Sequence, residues 1–124
     1  HKIITPLTTP MKDVLSLVSQ RDSYIFSYDG IKPLNCFSQL KKRLINYSGV
    51  TNWTYHDFRR SMATFLGDHD FNKDKIMTVL NHTDSSVTSI YNRSYQFKQK
   101  LEALNFWNEH LINKGIGRGR AYSV

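Results

Sequence analysis

Apolar residues recur at helical spacing through most of the chain, and the polar residues between these segments carry the signals that start and stop helices. Thr9 and Pro10 open the first segment, where Val14, Leu15 and Val18 form a stripe ending near Ser19 or Arg21. Asn35 is placed to cap a second, which turns Phe37, Leu40, Leu44 and Ile45 inward and Lys41, Lys42 and Arg43 outward, with Gly49 as its stop. A third starts at Thr54 or Tyr55. In it Phe58, Met62, Phe65 and Leu66 repeat at i, i+4, i+7 and i+8, His56, Arg59 and Arg60 fall on or beside the other face, and Gly67 frays the end. Asn72 caps a fourth through Ile76, Met77 and Leu80, and Asp84 or Ser85 a short one through Val87, Ile90 and Tyr91. The longest runs from about Tyr95 to Ile112 and presents Phe97, Leu101, Leu104, Trp107 and Leu111 for docking.

Two stretches depart from this period. Ile3 to Leu7 is β-branched and closed by Pro6, the pattern of an edge strand. Ser23 to Tyr28 alternates weakly and ends at the turn dipeptide Asp29-Gly30, so a second short strand or an extended segment is expected there. The fold class that follows is α+β, mainly α-helical, with short N-terminal β elements in one domain over residues 1–113. Residues 114–124, with Arg118 and Arg120 among glycines, read as a flexible basic tail.

Composition adds a partner class. Seventeen Lys and Arg against ten Asp and Glu give a net charge of +7 on 124 residues, which points to an anionic partner, nucleic acid before acidic membrane. The basic residues are spread along the chain, so a solvated surface is the competing explanation. Cys36 is the single cysteine, which excludes an internal disulfide and fits a reducing compartment. With no apolar run of membrane-spanning length and no signal-peptide pattern, the chain reads as soluble and cytoplasmic, with no membrane partner. It opens on His1-Lys2-Ile3-Ile4 without an initiator Met, as a piece of a longer protein would.

Four residues carry candidate chemistry. His56 and Arg59 form an H-x-x-R pair that a helix places one turn apart on one face; His82 follows Arg59 by 23 residues and Tyr91 follows His82 by nine. A phenol of pKa about 10 is roughly one part in a thousand ionised at pH 7, a deficit of about 4 kcal/mol for a phenolate nucleophile, so it needs a base. A histidine supplies one, and an arginine grips two phosphate oxygens with its planar fork as charge develops. These types together suffice to cleave a phosphodiester without metal. Each also has an ordinary structural explanation. Tyr91 lies four after Val87 on one helical face and fits a core position, with Tyr95 one turn on as a competing tyrosine. His56 and Arg59 fit an exposed surface pair, and His82 fits a helix C-terminal dipole partner.

The segment from His56 to Tyr91 resembles the C-terminal half of the tyrosine recombinase (phage integrase) catalytic domain in residue types and in both spacings. Phe58-Arg59-Arg60-Ser61-Met62-Ala63-Thr64-Phe65-Leu66 looks like that family's helix after its histidine. Tyr91-Asn92-Arg93-Ser94-Tyr95 and the following helix with Trp107 resemble integrases of genomic islands and temperate phages. The resemblance covers roughly residues 1–113.

It implies site-specific DNA recombination, integration or excision of mobile DNA, through a 3′-phosphotyrosine intermediate at Tyr91. Arg59 would be the second of two arginines on the phosphate, His56 a proton-transfer or phosphate-contacting residue, and His82 a hydrogen-bond donor. The implied partners are double-stranded DNA attachment sites and other protomers, as a tetramer on DNA. No cofactor, metal or nucleotide is implied, because the covalent link conserves the bond energy. Arg60, with Lys41, Lys42, Arg43 and Arg93, is expected to contact DNA. Three departures stand out. Asn81 occupies a position that is commonly glycine in the family, and the family's first arginine and β-hairpin lysine are expected upstream of His1, Lys2 being unassigned. On that expectation residues 1–124 alone are nearly inactive and the parent protein is the enzyme.

Two rivals compete. A helix-turn-helix over residues 36–47 and 55–66 would give DNA binding without chemistry, although its seven-residue link exceeds the usual three or four. A metal site at His56, His69 and His82, spaced evenly by thirteen, lacks the i, i+4 pairing and cysteine or carboxylate support such sites normally have.

Overall fold

Leu66 and Ala103 are fully sealed from solvent, and around them gather Val79, Leu80 and Leu104. The computed structural model describes residues 3–18, 23–82 and 93–116. Within those residues the helices are α1 (Thr9–Ser16), α2 (Phe37–Ser48), α3 (Tyr55–Asp68), α4 (Lys73–Val79) and α5 (Arg93–Asn113). α4 packs most extensively on α5, and α3 closes against both. The cluster is completed by half-buried Met62, Ala63, Phe65, Phe71, Ile76 and Phe106, with Met11 reaching in from α1. All of these but Phe71, which lies in the link between α3 and α4, come from the helices. Among the described residues no helix is long and apolar enough to cross a membrane.

The helix boundaries follow from capping chemistry. Asn72 caps α4 by accepting the N–H of Lys75 at 2.8 Å. At α3 the capping residue is Thr54, whose own N–H is taken by the Asp57 carboxylate at 2.8 Å, the reach-back half of a capping box. Thr8, itself buried, caps α1 through its hydroxyl and also accepts from Asn108 of α5, which pins the short helix to the longest one. Gly49 ends α2 in the left-handed region at φ +71°, a conformation glycine reaches without a Cβ penalty.

Several expectations change. Neither N-terminal strand forms among the described residues, so the architecture there is mainly α-helical without the β elements. Ile3–Leu7 has strand-forming residues, but a strand exists only through a hydrogen-bonded neighbour, and no described segment pairs with it. Ser23–Tyr28 instead leads into a side-chain-built loop. There Asp29 Oδ1 accepts the N–H groups of Ile31 and Lys32 at 2.9 and 3.0 Å, bonds that hold its carboxyl below the usual aspartate range. The cap of α2 is Cys36 rather than Asn35. Gly67 lies inside α3, which continues to Asp68 before Asp70 takes a left-handed φ of +66° and Phe71 donates to the Leu66 carbonyl at 3.0 Å. α5 starts two residues before Tyr95, at Arg93. The expected helix through Val87, Ile90 and Tyr91 lies outside the described residues, as does the tail from residue 117.

α2 joins the rest through aromatic rings. The Tyr55 hydroxyl donates to the Phe37 carbonyl at 2.6 Å, and the two rings meet edge to face at 5.8 Å between centroids. Trp53 stands against Tyr55 and Phe58 at 5.4 Å from each, and Lys41 Nζ lies 5.1 Å above its ring. The α2–α3 link runs over residues 49–54, and it is this ring cluster that holds the two helices together.

Candidate active site

The first turn of α3 sets the site. Thr54 and Asp57 fix where the helix begins, so His56 and Arg59, three apart, come out on one face. His56 is exposed, whereas Arg59 is half-buried. The Asp57 carboxyl is held below the usual range, first by the Thr54 N–H and in smaller part by the charges of Arg60 and His56. It therefore stays a carboxylate and keeps a weak pairing with Arg60 at 3.8 Å, with Arg60 well exposed.

Arg59 turns inward across the bundle. Its guanidinium donates to the main-chain carbonyl of Leu80, the residue that caps α4 at its C-terminus. That carbonyl belongs to the last turn of a helix, where acceptors are left over and a cation is favoured. A guanidinium carries five N–H donors in a planar fork, so a bond to one carbonyl does not exhaust its capacity to grip an anion.

The turn after Leu80 carries the second histidine. Asn81 adopts φ +59°. Its N–H reaches the Thr78 carbonyl at 3.1 Å, and the N–H of His82 reaches Met77 at 2.9 Å, which together form a Schellman stop. This explains why glycine suits the position before the histidine and why asparagine substitutes for it: asparagine is among the few other residues that enter the left-handed region readily. The side chain of His82 is exposed just beyond the stop. The structure thus brings Arg59 against the turn bearing His82, with His56 one turn earlier on Arg59's helix.

A further residue belongs to this turn. Lys100 of α5 donates from Nζ to Asn81 Oδ1 at 2.7 Å and to the Ile4 carbonyl at 2.9 Å, and burial pulls its pKa below the usual lysine range. Reading the sequence missed it. The available signal was its place beside the Phe97–Leu101–Leu104 stripe, where a lysine stem is drawn into the protein.

The remaining candidates are placed as follows. Tyr91 lies outside the described residues, and Arg93 is the first residue of α5. Lys42 and Arg43 are exposed on α2, and Lys41 is half-buried over Trp53. His69 caps the far end of α3, its ring 4.1 Å from that of Phe65 and its Nδ1 2.8 Å from the Phe65 carbonyl. Thirteen helical residues separate it from His56, about 20 Å of rise, which is far beyond a shared metal shell.

Neither the search of curated proteins nor that of solved structures returned a match. The family models did: residues 4–97, which include His56, Arg59, His82 and Tyr91, match the phage integrase family, and the chain belongs to that family, in the C-terminal part of its catalytic domain.

Proposed function

We propose that this chain is the C-terminal part of the catalytic domain of a tyrosine recombinase, and that the parent protein cleaves and rejoins DNA at double-stranded attachment sites as a tetramer of protomers in the cytoplasm. Family membership supports site-specific recombination in general. The observation that carries the finer reading is the Arg59 bond to Leu80, because it holds the H-x-x-R face against the turn that presents His82.

In this mechanism Tyr91 gives up its phenolic proton to a histidine acting as base, and its oxygen attacks the scissile phosphorus. The bond to the 5′-oxygen breaks, that oxygen takes a proton, and a 3′-phosphotyrosine and a 5′-hydroxyl result. One phosphodiester-like bond replaces another, so rejoining needs no external energy. Arg59 offers its guanidinium fork to the non-bridging oxygens and His82 adds another donor, each bond stronger as negative charge builds in the transition state. His56 serves proton transfer or phosphate contact. The first arginine and the lysine that protonates the leaving oxygen are assigned to no residue among 1–124. If the loss of one oxyanion-type donor costs about 3 to 4 kcal/mol, the chain without both is nearly inactive.

The test uses a protein extended to a full catalytic domain, a nicked suicide DNA substrate and a denaturing gel, with mass spectrometry to locate any linkage. The expected result is an adduct on Tyr91 that disappears in Tyr91→Phe while DNA affinity is kept. DNA binding with no adduct on any site would favour the non-catalytic, helix-turn-helix-like alternative.

A further inference from the structure

Three consecutive residues, Leu80, Asn81 and His82, are each held by a different helix. The Leu80 carbonyl takes Arg59 of α3, the Asn81 side chain takes Lys100 of α5, and the His82 N–H returns to Met77 of α4. The bond from Lys100 is the one that depends on Asn81 having a side chain, since glycine at that position has nothing to offer it. Lys100 also takes the Ile4 carbonyl, so one ammonium joins the N-terminal segment, the turn and the longest helix. These two contacts are a carbonyl and an amide oxygen, both suited to a charged donor.

We propose that Lys100 is a positioning residue for the phosphate site: through Asn81 it fixes the left-handed turn that aims His82, and this lysine–asparagine tie does by a side-chain bond what glycine's backbone freedom does when glycine holds the position. The functional half of this inference rests on the recombinase reading. The structural half stands on the hydrogen bonds alone. Asparagine tolerates a positive φ but does not prefer it as glycine does, so the turn gains from an external hold, and Lys100 supplies it from a rigid helix. A substrate-contacting donor needs its position set within about 0.5 Å, which a single Schellman stop followed by an exposed histidine does not provide.

The experiment is a double-mutant cycle of Lys100→Met and Asn81→Gly, with Lys100→Arg as the conservative variant and Lys100→Gln in parallel in case the methionine variant does not fold. Two readouts are taken in the full-length protein: hydrogen exchange at the His82 amide, with the His56, His69 and His110 resonances as internal references, and single-turnover adduct formation on nicked DNA alongside DNA affinity. Lys100→Met is expected to speed His82 exchange about tenfold and to slow adduct formation about tenfold, with DNA affinity unchanged within about twofold. Lys100→Arg restores most of the rate. In the Asn81→Gly background Lys100→Met has no further effect.

An equal fall in both backgrounds overturns the proposal, because Lys100 would then act without Asn81, and so does unchanged exchange at His82. If the unsubstituted protein forms no adduct, it is the recombinase reading that fails, and the tie is still decided by exchange at His82.

Discussion

Arg59 donates to the carbonyl of Leu80 across 21 residues of sequence, so a single hydrogen bond joins the H-x-x-R helix to the turn of the second histidine. On the proposed function this arginine serves packing and chemistry together. Arg59→Ala is expected to lower stability by about 1.5 to 3 kcal/mol, the range for a hydrogen bond to a charged group, and to cut adduct formation at least about 100-fold. Arg59→Lys keeps the charge but loses the fork, so it should recover stability more than activity. Urea denaturation and the denaturing-gel assay separate the two effects; equal recovery in both would mean that geometry at the phosphate does not matter.

The ends of several helices were legible in the sequence because capping is local. Asn72 and Gly49 satisfy or release backbone groups within four residues and act as read, and the start expected at Thr54 or Tyr55 is set by Thr54 together with Asp57, a pairing that the sequence reading did not name. The stripe Leu101, Leu104, Trp107 and Leu111 does turn inward, although Phe97 at its start stays 41% exposed. The strands were misread because β-branched residues describe a surface suited to pairing and do not say whether a partner exists. The candidate site residues could be proposed from their types and spacing, but the acceptor of Arg59 could not, since a backbone carbonyl has no side-chain signature. Lys100 went unread because its partner, Asn81, earns that bond only by its φ.

Two glycines give opposite predictions. At Gly49 a Cβ would meet nothing within 4 Å, so Gly49→Ala costs only the left-handed backbone, about 1 kcal/mol or somewhat more. At Gly67, inside α3, the added Cβ would lie 3.7 Å from Ile76 Cδ1, an ordinary contact. Gly67→Ala should therefore stabilise by about 0.5 to 1 kcal/mol through helix propensity. Thermal melts of both variants decide it. A stabilising Gly49→Ala would contradict the left-handed stop of α2, in which the Gly49 N–H bonds to the Ile45 carbonyl.

Asp57 gives a pH prediction with a definite sign. Its folded pKa is lowered, chiefly by the Thr54 N–H, so its contribution is present above the unfolded aspartate value of about 4 and is lost as pH falls through the lower folded value. The start of α3, and with it His56 and Arg59, should loosen in that acid window. Asp57→Asn should flatten the melting temperature against pH between about 2 and 5 relative to the unsubstituted chain, and leave the slope near neutrality alone. A profile that Asp57→Asn does not alter would place the acid sensitivity elsewhere, with Asp29 the next carboxylate held low by backbone N–H groups.

DNA contact by α2 is decided by salt. Phe37 and Lys41 share the face that meets α3, and Lys41 is committed to the Trp53 ring at 5.1 Å, whereas Lys42 and Arg43 are exposed on the other side. If those two neutralise phosphates, each releases about one condensed counterion, so Lys42→Ala with Arg43→Ala should reduce the slope of log affinity against log salt by about 2. Lys41→Ala should change the slope less and disturb the Trp53 fluorescence more, because it removes a ring contact. An unchanged slope in the double variant would make Lys42 and Arg43 part of a solvated basic surface and leave the phosphate contacts to the face of Arg59 and Arg60.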